Sequence, residues 1–146
     1  MGDFDFVPKI LEKTGVDIKF QTVAVQPGKP TTFGVHKEAL VFGLPGNPVS
    51  SYFQFELLVK PLIRDIMGGT TKELGIKLPM AKTYKRRKAK RLSWFPVNIT
   101  DDGEVMPVEY HGSAHIYSLP AADAIASIDI GKTELKKGEI VHVRQI

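Results

Sequence analysis

The fold of the first half of this chain is decided by the stretch Phe42-Gly43-Leu44-Pro45-Gly46-Asn47-Pro48. Asn47 is a favoured N-cap residue and Pro48 suits the first position of a helix, so the stretch predicts a strand that turns directly into a helix. Free backbone N–H groups give such a helix start a partial positive charge, which suits phosphate or another oxyanion. Gly43 and Gly46 would let a ligand approach the backbone. The alternative is a rigid turn that binds nothing, and no Gly-Lys-Ser/Thr sequence follows that would make it a Walker loop.

The segments on either side of this turn predict part of an α/β domain. After it, apolar residues on most faces between Tyr52 and Ile66 predict a helix buried against a sheet, in which Pro61 should produce a kink or an early end. Before it, Asp5 can cap a first helix. Three stretches predict strands: Ile18 to Val25, Thr31 to Val35 and Leu40 to Phe42. A layered α/β domain usually has more strands than these, so residues 1–70 are predicted to be the second half of such a domain.

The second half of the chain is predicted to be a small all-β barrel domain over residues 75–146. Proline recurs at positions 79, 96, 107 and 120, and no convincing helical period is present. Asp101-Asp102-Gly103 lies between two apolar stretches and predicts a hairpin. Ala124 to Ile130 and Ile140 to Val143 predict further strands. The predicted fold class is therefore a partial α/β domain followed by a small all-β barrel.

The composition is that of a globular chain without thiols. The chain has 146 residues, of which 42% are hydrophobic and 25% charged, values that argue against wholesale disorder. Cysteine is absent, which excludes disulfides, thiolate metal sites and a cysteine nucleophile and fits the reducing cytoplasm, where we expect the protein to reside. No apolar stretch reaches the ~20 residues of a membrane span. The acidic start, Met1 to Asp5, lacks the basic region of a signal peptide.

The net charge of +4 comes from one basic segment, Lys82 to Arg91, which holds seven of the twenty Lys and Arg residues and no acid. Residues 1–81 carry +1 and residues 92–146 carry −4. The segment could bind nucleic-acid phosphates, with Tyr84 and Trp94 stacking on bases. It could also be a solvated edge strand or loop, or an electropositive rim that draws an anionic small molecule to a cleft. We favour the last two interpretations over nucleic acid.

A second rigid loop is the stretch Gln26-Pro27-Gly28-Lys29-Pro30, which ends a predicted strand. In open α/β sheets, ligands bind at the carboxyl ends of strands. Lys29, close to two prolines, is poorly placed for packing and well placed to point at an anion. A solvated lysine on a turn is the more common alternative.

Metal-binding patterns are weaker in this sequence. Asp3 and Asp5 together could hold Mg²⁺, although capping explains Asp5 equally well. His111 and His115 would lie about 13 Å apart in a strand, at ~3.3 Å per residue, so their spacing does not favour a metal pair. Ser113, between them, could offer its hydroxyl and backbone N–H to an oxyanion.

Four segments resemble, in their order along the chain, the molybdopterin molybdotransferase family, known as MoeA in bacteria and as the gephyrin E-domain in animals. They are Gln26 to Pro30, Thr32 to Gly34, Phe42 to Ser50 and Phe55 to Pro61. The sequence GLPGNPVS in the third segment is highly specific. Tyr110 to Ile116 and Gly138 to Val143 resemble the family's C-terminal β-barrel, so the resemblance spans essentially the whole chain.

The resemblance implies the insertion of molybdate into molybdopterin. The substrate would be adenylylated molybdopterin, whose adenylate is hydrolysed in a step that depends on Mg²⁺ or Zn²⁺. Catalytic roles are implied for Asp5, at the metal and molybdate, and for Lys29, which would face the anionic ligand. A homodimer is implied for the full-length protein. Molybdopterin binding is implied for Gly28, Gly43, Pro45, Gly46, Asn47, Pro48, Ser50 and Ser113.

The sequence departs from the family in three respects. Gln26 stands where many bacterial members have a lysine, and Trp94-Phe95-Pro96 occupies a stretch that carries an arginine in some members. The family also has two further N-terminal domains and the first half of the α/β domain, so we expect this chain to be a C-terminal fragment that is inactive alone. The alternatives are a gephyrin-like scaffold and a basic nucleic-acid-binding barrel. These residues do not distinguish molybdate from tungstate.

Overall fold

A computed structural model describes residues 6–69, 75–108, 119 and 122–146 of the chain. The helices are α1 (Val7–Lys13), α2 (Pro48–Gln54) and α3 (Lys60–Ile66), and a π-helical turn, Phe55–Val59, joins α2 to α3. The strands are β1 (Asp17–Phe20), β2 (Val25–Gln26), β3 (Thr32–His36), β4 (Ala39–Gly43), β5 (Ile76–Pro79), β6 (Tyr84–Lys85), β7 (Leu92–Ile99), β8 (Val105–Pro107), β9 (Ala124–Ile128), β10 (Glu134–Leu135) and β11 (Ile140–Gln145).

The first sheet is antiparallel and has the order β1-β3-β4. The strands predicted at Thr31 to Val35 and at Leu40 to Phe42 are confirmed as β3 and β4, which pair along their whole length as a hairpin. The single strand predicted from Ile18 to Val25 is wrong, since β1 ends at Phe20 and β2 belongs to a different sheet. The register of β1 against β3 shifts between Ile18 and Phe20. Such an irregularity bends a strand, and the chain leaves the first sheet here.

The first helix begins close to its predicted start. Pro8 lies in the first turn of α1, as expected. The N-cap position falls on Phe6, one residue after the predicted cap Asp5, which lies outside the described residues. The Val7 side chain packs towards the end of β4, where a Cβ on Gly43 would lie only 2.8 Å from Val7 Cγ1. The helix is thereby placed against the first sheet.

The helix predicted to follow the Gly-Pro turn is confirmed, whereas an early end at Pro61 is wrong and a kink there stays a prediction. The helix does not end early there; it widens to a π-helical register over Phe55–Val59 and continues to Ile66. Proline has no N–H to offer the preceding turn and clashes with the carbonyl four residues earlier. In the wider register, the N–H of Lys60 bonds to the carbonyl of Phe55.

The same change of register explains a contact from the far end of the chain. Five residues after Glu56 stands Pro61, so the π-helical partner of the Glu56 carbonyl has no N–H. The guanidinium Nη2 of buried Arg144, on β11, donates a hydrogen bond to that carbonyl. A long-range donor thus replaces the missing helical one.

Burial of this helical segment is less complete than its sequence predicts. Val49 and Phe53 are fully buried. Ile63, Ile66 and Met67 are 43%, 69% and 79% exposed. The prediction of a helix buried on most faces is therefore confirmed for α2 and wrong for α3.

The second sheet has six strands, five of them from the second half of the chain. Its path is β2-β7-β9-β11-β5, and β8 pairs with the other part of β7. The hairpin predicted around residues 101–103 is confirmed as the β7–β8 connection. One parallel bridge, between Met80 and Val105, links the end of β5 to β8. The sheet thus curls around its core, but the pairings of the described residues do not form the continuous ladder of a closed barrel. The buried core comprises Met80, Phe95, Val97, Val105, Ala124, Ala126, Ile128, Leu135, Val141 and Val143.

The two halves of the chain share a second apolar core. α2 packs its buried residues Val49 and Phe53 against Ile125 on β9 and against Leu119. β2, from the first half, pairs in parallel with β7. The predicted domain division at residues 70–75 falls almost entirely outside the described residues and stays a prediction. Within the described ranges, the protein has no helix with the length and apolarity needed to cross a membrane.

Candidate anion-binding site

The Lys29 loop is held closed by its own backbone. The carbonyl of Lys29 accepts hydrogen bonds from the backbone N–H groups of Val23 and Thr31, at 3.0 and 2.9 Å. The buried Thr31 hydroxyl donates to the carbonyl of Gly28 at 2.7 Å. These bonds leave the Lys29 side chain exposed at the tip of an ordered loop.

Gln54, on α2, holds the same loop through its side chain. Fully buried Gln54 donates from Nε2 to the carbonyl of Pro27 at 2.8 Å. Gly28 has φ +108°, a conformation that favours glycine, and a Cβ at this position would lie 2.4 Å from Gln54 Cγ and Nε2. Glycine is required here because the loop backbone rests directly on the glutamine side chain.

The loop forms one wall of a cleft of about 420 Å³. The strand β6 and the start of β7 form the opposite wall. Four cationic side chains line the cleft, and none of its described lining residues is acidic. The lining consists of Gln26, Pro27, Gly28, Lys29, Pro30, Ser50, Tyr84, Lys85, Arg86, Arg91, Ser93, Trp94 and Phe95. Converging cations in a concave site attract anions, so the basic segment serves as the rim of this cleft.

A neighbouring cleft of about 450 Å³ continues along the same loop. It shares Gln26, Lys29 and Arg91 with the first cleft and adds Lys88 and Lys90. Its described lining is also free of acidic residues. By contrast, a third cleft of about 520 Å³ on the second sheet is lined by both acids and bases, including Asp129 and Glu139. Of these three clefts, the two along the Lys29 loop have described linings in which every charged residue is a cation.

Two residues of the basic segment have structural roles. Arg86 donates to three backbone carbonyls, those of Lys132, Arg91 and Asp129, at 2.8, 2.7 and 2.5 Å. Burial lowers the pKa of Arg86, although Tyr84 and Asp129 nearby oppose this shift. Arg86 is therefore engaged with the protein rather than offered to a ligand.

Tyr84 is also occupied. Its ring stacks on that of Phe95, with centroids 3.9 Å apart and planes 9° apart. Burial raises the pKa of the Tyr84 hydroxyl, and the Arg86 charge partly offsets this. Because Phe95 covers one face of the Tyr84 ring, only the opposite face is left for stacking, and the stacking of Tyr84 on nucleic-acid bases stays a prediction.

The turn from Gly43 to Pro48 lies beside the cleft rather than in its lining. The space at Gly43 is filled by Val7 and by Thr32, whose Cβ would lie 3.2 Å from a Cβ at 43, so packing explains this glycine. Gly46 is exposed, and a Cβ there would have no described heavy atom within 4 Å. Of the segment around the helix start, Ser50 reaches the cleft.

The predicted N-cap at the start of α2 is confirmed. Asn47 Oδ1 accepts a hydrogen bond from the backbone N–H of Ser50 at 3.2 Å, and Pro48 occupies the first helical turn. The cap therefore uses one of the helix N–H groups predicted to face an anion. Pro45 is buried and Pro48 is exposed.

Several predicted site residues lie outside the described ranges. These are Asp3, Asp5, His111, Ser113 and His115. Among the described residues, no group of three or more His, Cys, Asp or Glu side chains could hold a metal ion. The described cleft lining offers cations and hydroxyls, whereas Mg²⁺ prefers carboxylates, so this lining does not fit a divalent cation.

Sequence reasoning missed three residues of the cleft region. Gln54 carries a signal that could have been used, since it is a polar residue within an apolar helical stretch. Arg91 was one cation among seven, and nothing local distinguishes it from its neighbours. Ser93 reaches the cleft because β7 pairs with β2, a contact that no local pattern predicts.

Comparison with known protein families shows which family contains this cleft. Residues 78–146 match the family model described as the MoeA C-terminal region (domain IV), and residues 1–65 match the probable molybdopterin binding domain. The chain belongs to the MoeA family. The two matches follow each other in the order that the sequence motifs indicate.

Curated relatives of the MoeA family match nearly all of the chain. The molybdopterin molybdenumtransferase of Bacillus subtilis is 32% identical over 146 residues, which are 98% of this chain and 34% of the relative. That of Synechococcus elongatus is 33% identical over 148 residues, covering 100% of this chain and 36% of the relative. The molybdenum cofactor synthesis protein cinnamon of Drosophila melanogaster is 47% identical over 68 residues. The chain spans about a third of the length of the bacterial relatives.

Solved structures agree with this assignment. A molybdopterin biosynthesis MoeA protein from Pyrococcus horikosii superposes with a TM-score of 0.81 at 30% identity, covering 97% of this chain and 34% of that one. A molybdenum cofactor biosynthesis protein from Pyrococcus furiosus gives a TM-score of 0.76 at 22% identity, covering 99% and 55%. At that lower identity, the second likeness supports the fold alone.

Proposed function

We propose that this chain supplies part of the pterin and oxyanion pocket of a molybdopterin molybdotransferase. The observation that carries the proposal is the cleft in which the Lys29 loop, Ser50 and the basic segment converge, and whose described lining holds no acidic residue. Molybdopterin carries a phosphate and molybdate is an oxyanion, so both are attracted by such a cleft. The curated relatives are named as enzymes of this activity.

In this proposal, the residues of the first cleft wall bind and orient the ligand. Lys29 neutralises an anionic group of the ligand. Gly28 lets that group approach the backbone, and Ser50 offers it a hydroxyl. The turn beside the cleft is also proposed to bind the pterin, through Gly43, Pro45, Gly46, Asn47 and Pro48. Asp5 and Ser113 are proposed to complete the pocket, with Asp5 at an Mg²⁺ or Zn²⁺ ion.

The remaining features of the whole enzyme are proposals of the same kind. They are the use of adenylylated molybdopterin, a homodimer of the full-length protein, a cytoplasmic location, and a division into an α/β part (1–70) and a β part (75–146). Because the chain spans about a third of its bacterial relatives, we expect it to bind the pterin without inserting molybdate by itself.

The proposal is tested by titrating the purified chain with molybdopterin at low ionic strength. Trp94 is the single tryptophan of the chain and lines the cleft, so its fluorescence reports binding there. Lys29→Gln should weaken binding by roughly ten- to a hundredfold, since a hydrogen bond to a charged group contributes about 1.5–3 kcal/mol.

The matched control is Lys37→Gln, which removes the same charge from an exposed turn that lines neither cleft. It should bind like the wild type. Equal affinities of the folded Lys29→Gln variant and the wild type would refute the role of Lys29. A wild-type chain that shows no saturable change would refute pterin binding by this cleft.

A further inference from the structure

We propose that the guanidinium of Arg91 binds the anionic group of the ligand, and that Arg86 positions Arg91 for this contact. The inference rests on the proposed function, and it deepens that proposal by selecting one cation from the basic segment. Seven cations lie in this segment, and their sequence does not distinguish them. Their structural surroundings do.

The pairing of β2 with β7 brings Arg91 to the Lys29 loop. Val25 pairs with Leu92 and Gln26 with Ser93. The backbone N–H of Leu92 also donates to the carbonyl of Ala24 at 3.0 Å. Arg91, the residue just before β7, is thereby fixed beside the loop that carries Lys29.

Arg91 lines both clefts whose described linings hold no acidic residue, at the point where they meet. Only Gln26, Lys29 and Arg91 share this position among the described lining residues. A ligand in either cleft, or across both, would therefore meet the Arg91 and Lys29 side chains together.

The donors of Arg91 are largely available to such a ligand. Its guanidinium makes one long hydrogen bond among the described residues, from Nη1 to the carbonyl of Val25 at 3.4 Å. Arg86, in the same segment, uses Nε, Nη1 and Nη2 on three carbonyls. A guanidinium with free donors offers a planar fork that matches two oxygens of a phosphate or related oxyanion.

Arg86 acts on the ligand through Arg91. It donates from Nη1 to the Arg91 carbonyl at 2.7 Å and ties it to the loop that contains Asp129 and Lys132. The backbone from which the Arg91 side chain projects is therefore anchored from the opposite side to β2. Arg86 is a positioning residue in this arrangement.

The other cations of the segment fit this role less well. Lys85 is paired with Glu134 at 3.4 Å and is largely exposed. Lys88 and Lys90 line only the second cleft. Arg87 is exposed and lines neither cleft, which makes it a matched control in the same segment.

The experiment measures the affinity of the full chain for inorganic phosphate and for molybdate, by Trp94 fluorescence at low ionic strength. Arg91→Gln should weaken binding at least about tenfold, because a charge-assisted bidentate contact is lost. Arg91→Lys should recover only part of the affinity, since lysine keeps the charge without the planar fork. Arg87→Gln should bind like the wild type.

The positioning role of Arg86 is tested by combining variants. Arg86→Gln should weaken phosphate binding in the wild-type background and have little further effect in the Arg91→Gln background. A residue with a merely structural role would lower affinity to the same extent in both backgrounds, and that result would refute the positioning role. Thermal unfolding of each variant confirms that it is folded.

Other outcomes separate this inference from the proposed function. Should Lys29→Gln weaken molybdopterin binding while Arg91→Gln leaves it unchanged, the inference about Arg91 is overturned and the proposed function stands. Should neither substitution weaken binding while the wild type binds saturably, the roles of both Lys29 and Arg91 are overturned. A wild-type chain without saturable binding of phosphate or molybdate would also overturn the inference.

Discussion

Replacing Gly28 by alanine should loosen the Lys29 loop, and the structure allows the cost to be worked out. The residue has φ +108°, so any side chain is strained there, at about 1–3 kcal/mol. The new Cβ would also lie 2.4 Å from Gln54 Cγ and Nε2. Gln54 must then move and give up its hydrogen bond to the Pro27 carbonyl, which leaves buried polar groups unpaired at about 1–3 kcal/mol. We expect Gly28→Ala to lower the free energy of unfolding by about 2–6 kcal/mol.

The assay is urea unfolding of the purified chain, followed by circular dichroism. Gly46→Ala is the control, because a Cβ there has no described heavy atom within 4 Å, and its effect should stay within about 0.5 kcal/mol. In a Gln54→Ala background the clash is gone, so Gly28→Ala should cost only the backbone strain. An equal cost of Gly28→Ala in both backgrounds, or no cost at all, would show that the contact with Gln54 is not the reason for this glycine.

Three further predictions concern the fold. Arg144→Met should destabilise the chain by about 1.5–3 kcal/mol, because it leaves the Glu56 carbonyl unpaired. In a Pro61→Ala background, where position 61 regains an N–H, urea unfolding should show a smaller loss of stability. An equal loss in both backgrounds would contradict the explanation of the π-helical turn. Asn47→Ala should cost about 1 kcal/mol through loss of the N-cap, whereas Asn47→Ser should keep most of it, and a neutral alanine variant would contradict the cap. Hydrogen bonds from the Lys132 side chain and from the Lys136 backbone N–H lower the pKa of Glu139. Their stabilisation is complete above its ordinary pKa of 4.5 and is lost as the pH falls through the lower, folded-state pKa. Unfolding midpoints of the wild type and Glu139→Gln should therefore differ near neutral pH and converge in acid, and a constant difference would contradict this assignment.

The elements that sequence predicted correctly are those with local signals. The strands β3 and β4 follow from two apolar stretches around a polar turn, and the β7–β8 hairpin follows from Asp101-Asp102-Gly103. The start of α2 follows from Asn47 and Pro48. Each signal acts within a few residues, so no knowledge of the remaining chain was needed.

The elements that sequence mispredicted depend on distant partners. The stretch from Ile18 to Val25 alternates like one strand, but its end pairs with β7 rather than with the first sheet. The helix does not end early at Pro61, one of the two outcomes expected there, because the wider register and Arg144 together accommodate the proline. The apolar pattern from Tyr52 to Ile66 predicted burial throughout, and only the part opposite β9 is deeply buried.

By itself, the sequence determined the family, the two rigid loops and the concentration of positive charge in one segment. Motifs and charge are written residue by residue, so they can be read without a fold. Only the tertiary structure decided which residues meet. Gln54 contacts Pro27 across 27 positions, Arg86 contacts Asp129 across 43, and Arg144 contacts Glu56 across 88. Such contacts distinguish Arg86, whose donors bond to the protein, from Arg91, whose guanidinium lines a cleft. Sequence cannot make this distinction, because hydrogen bonding depends on position in space rather than on order along the chain.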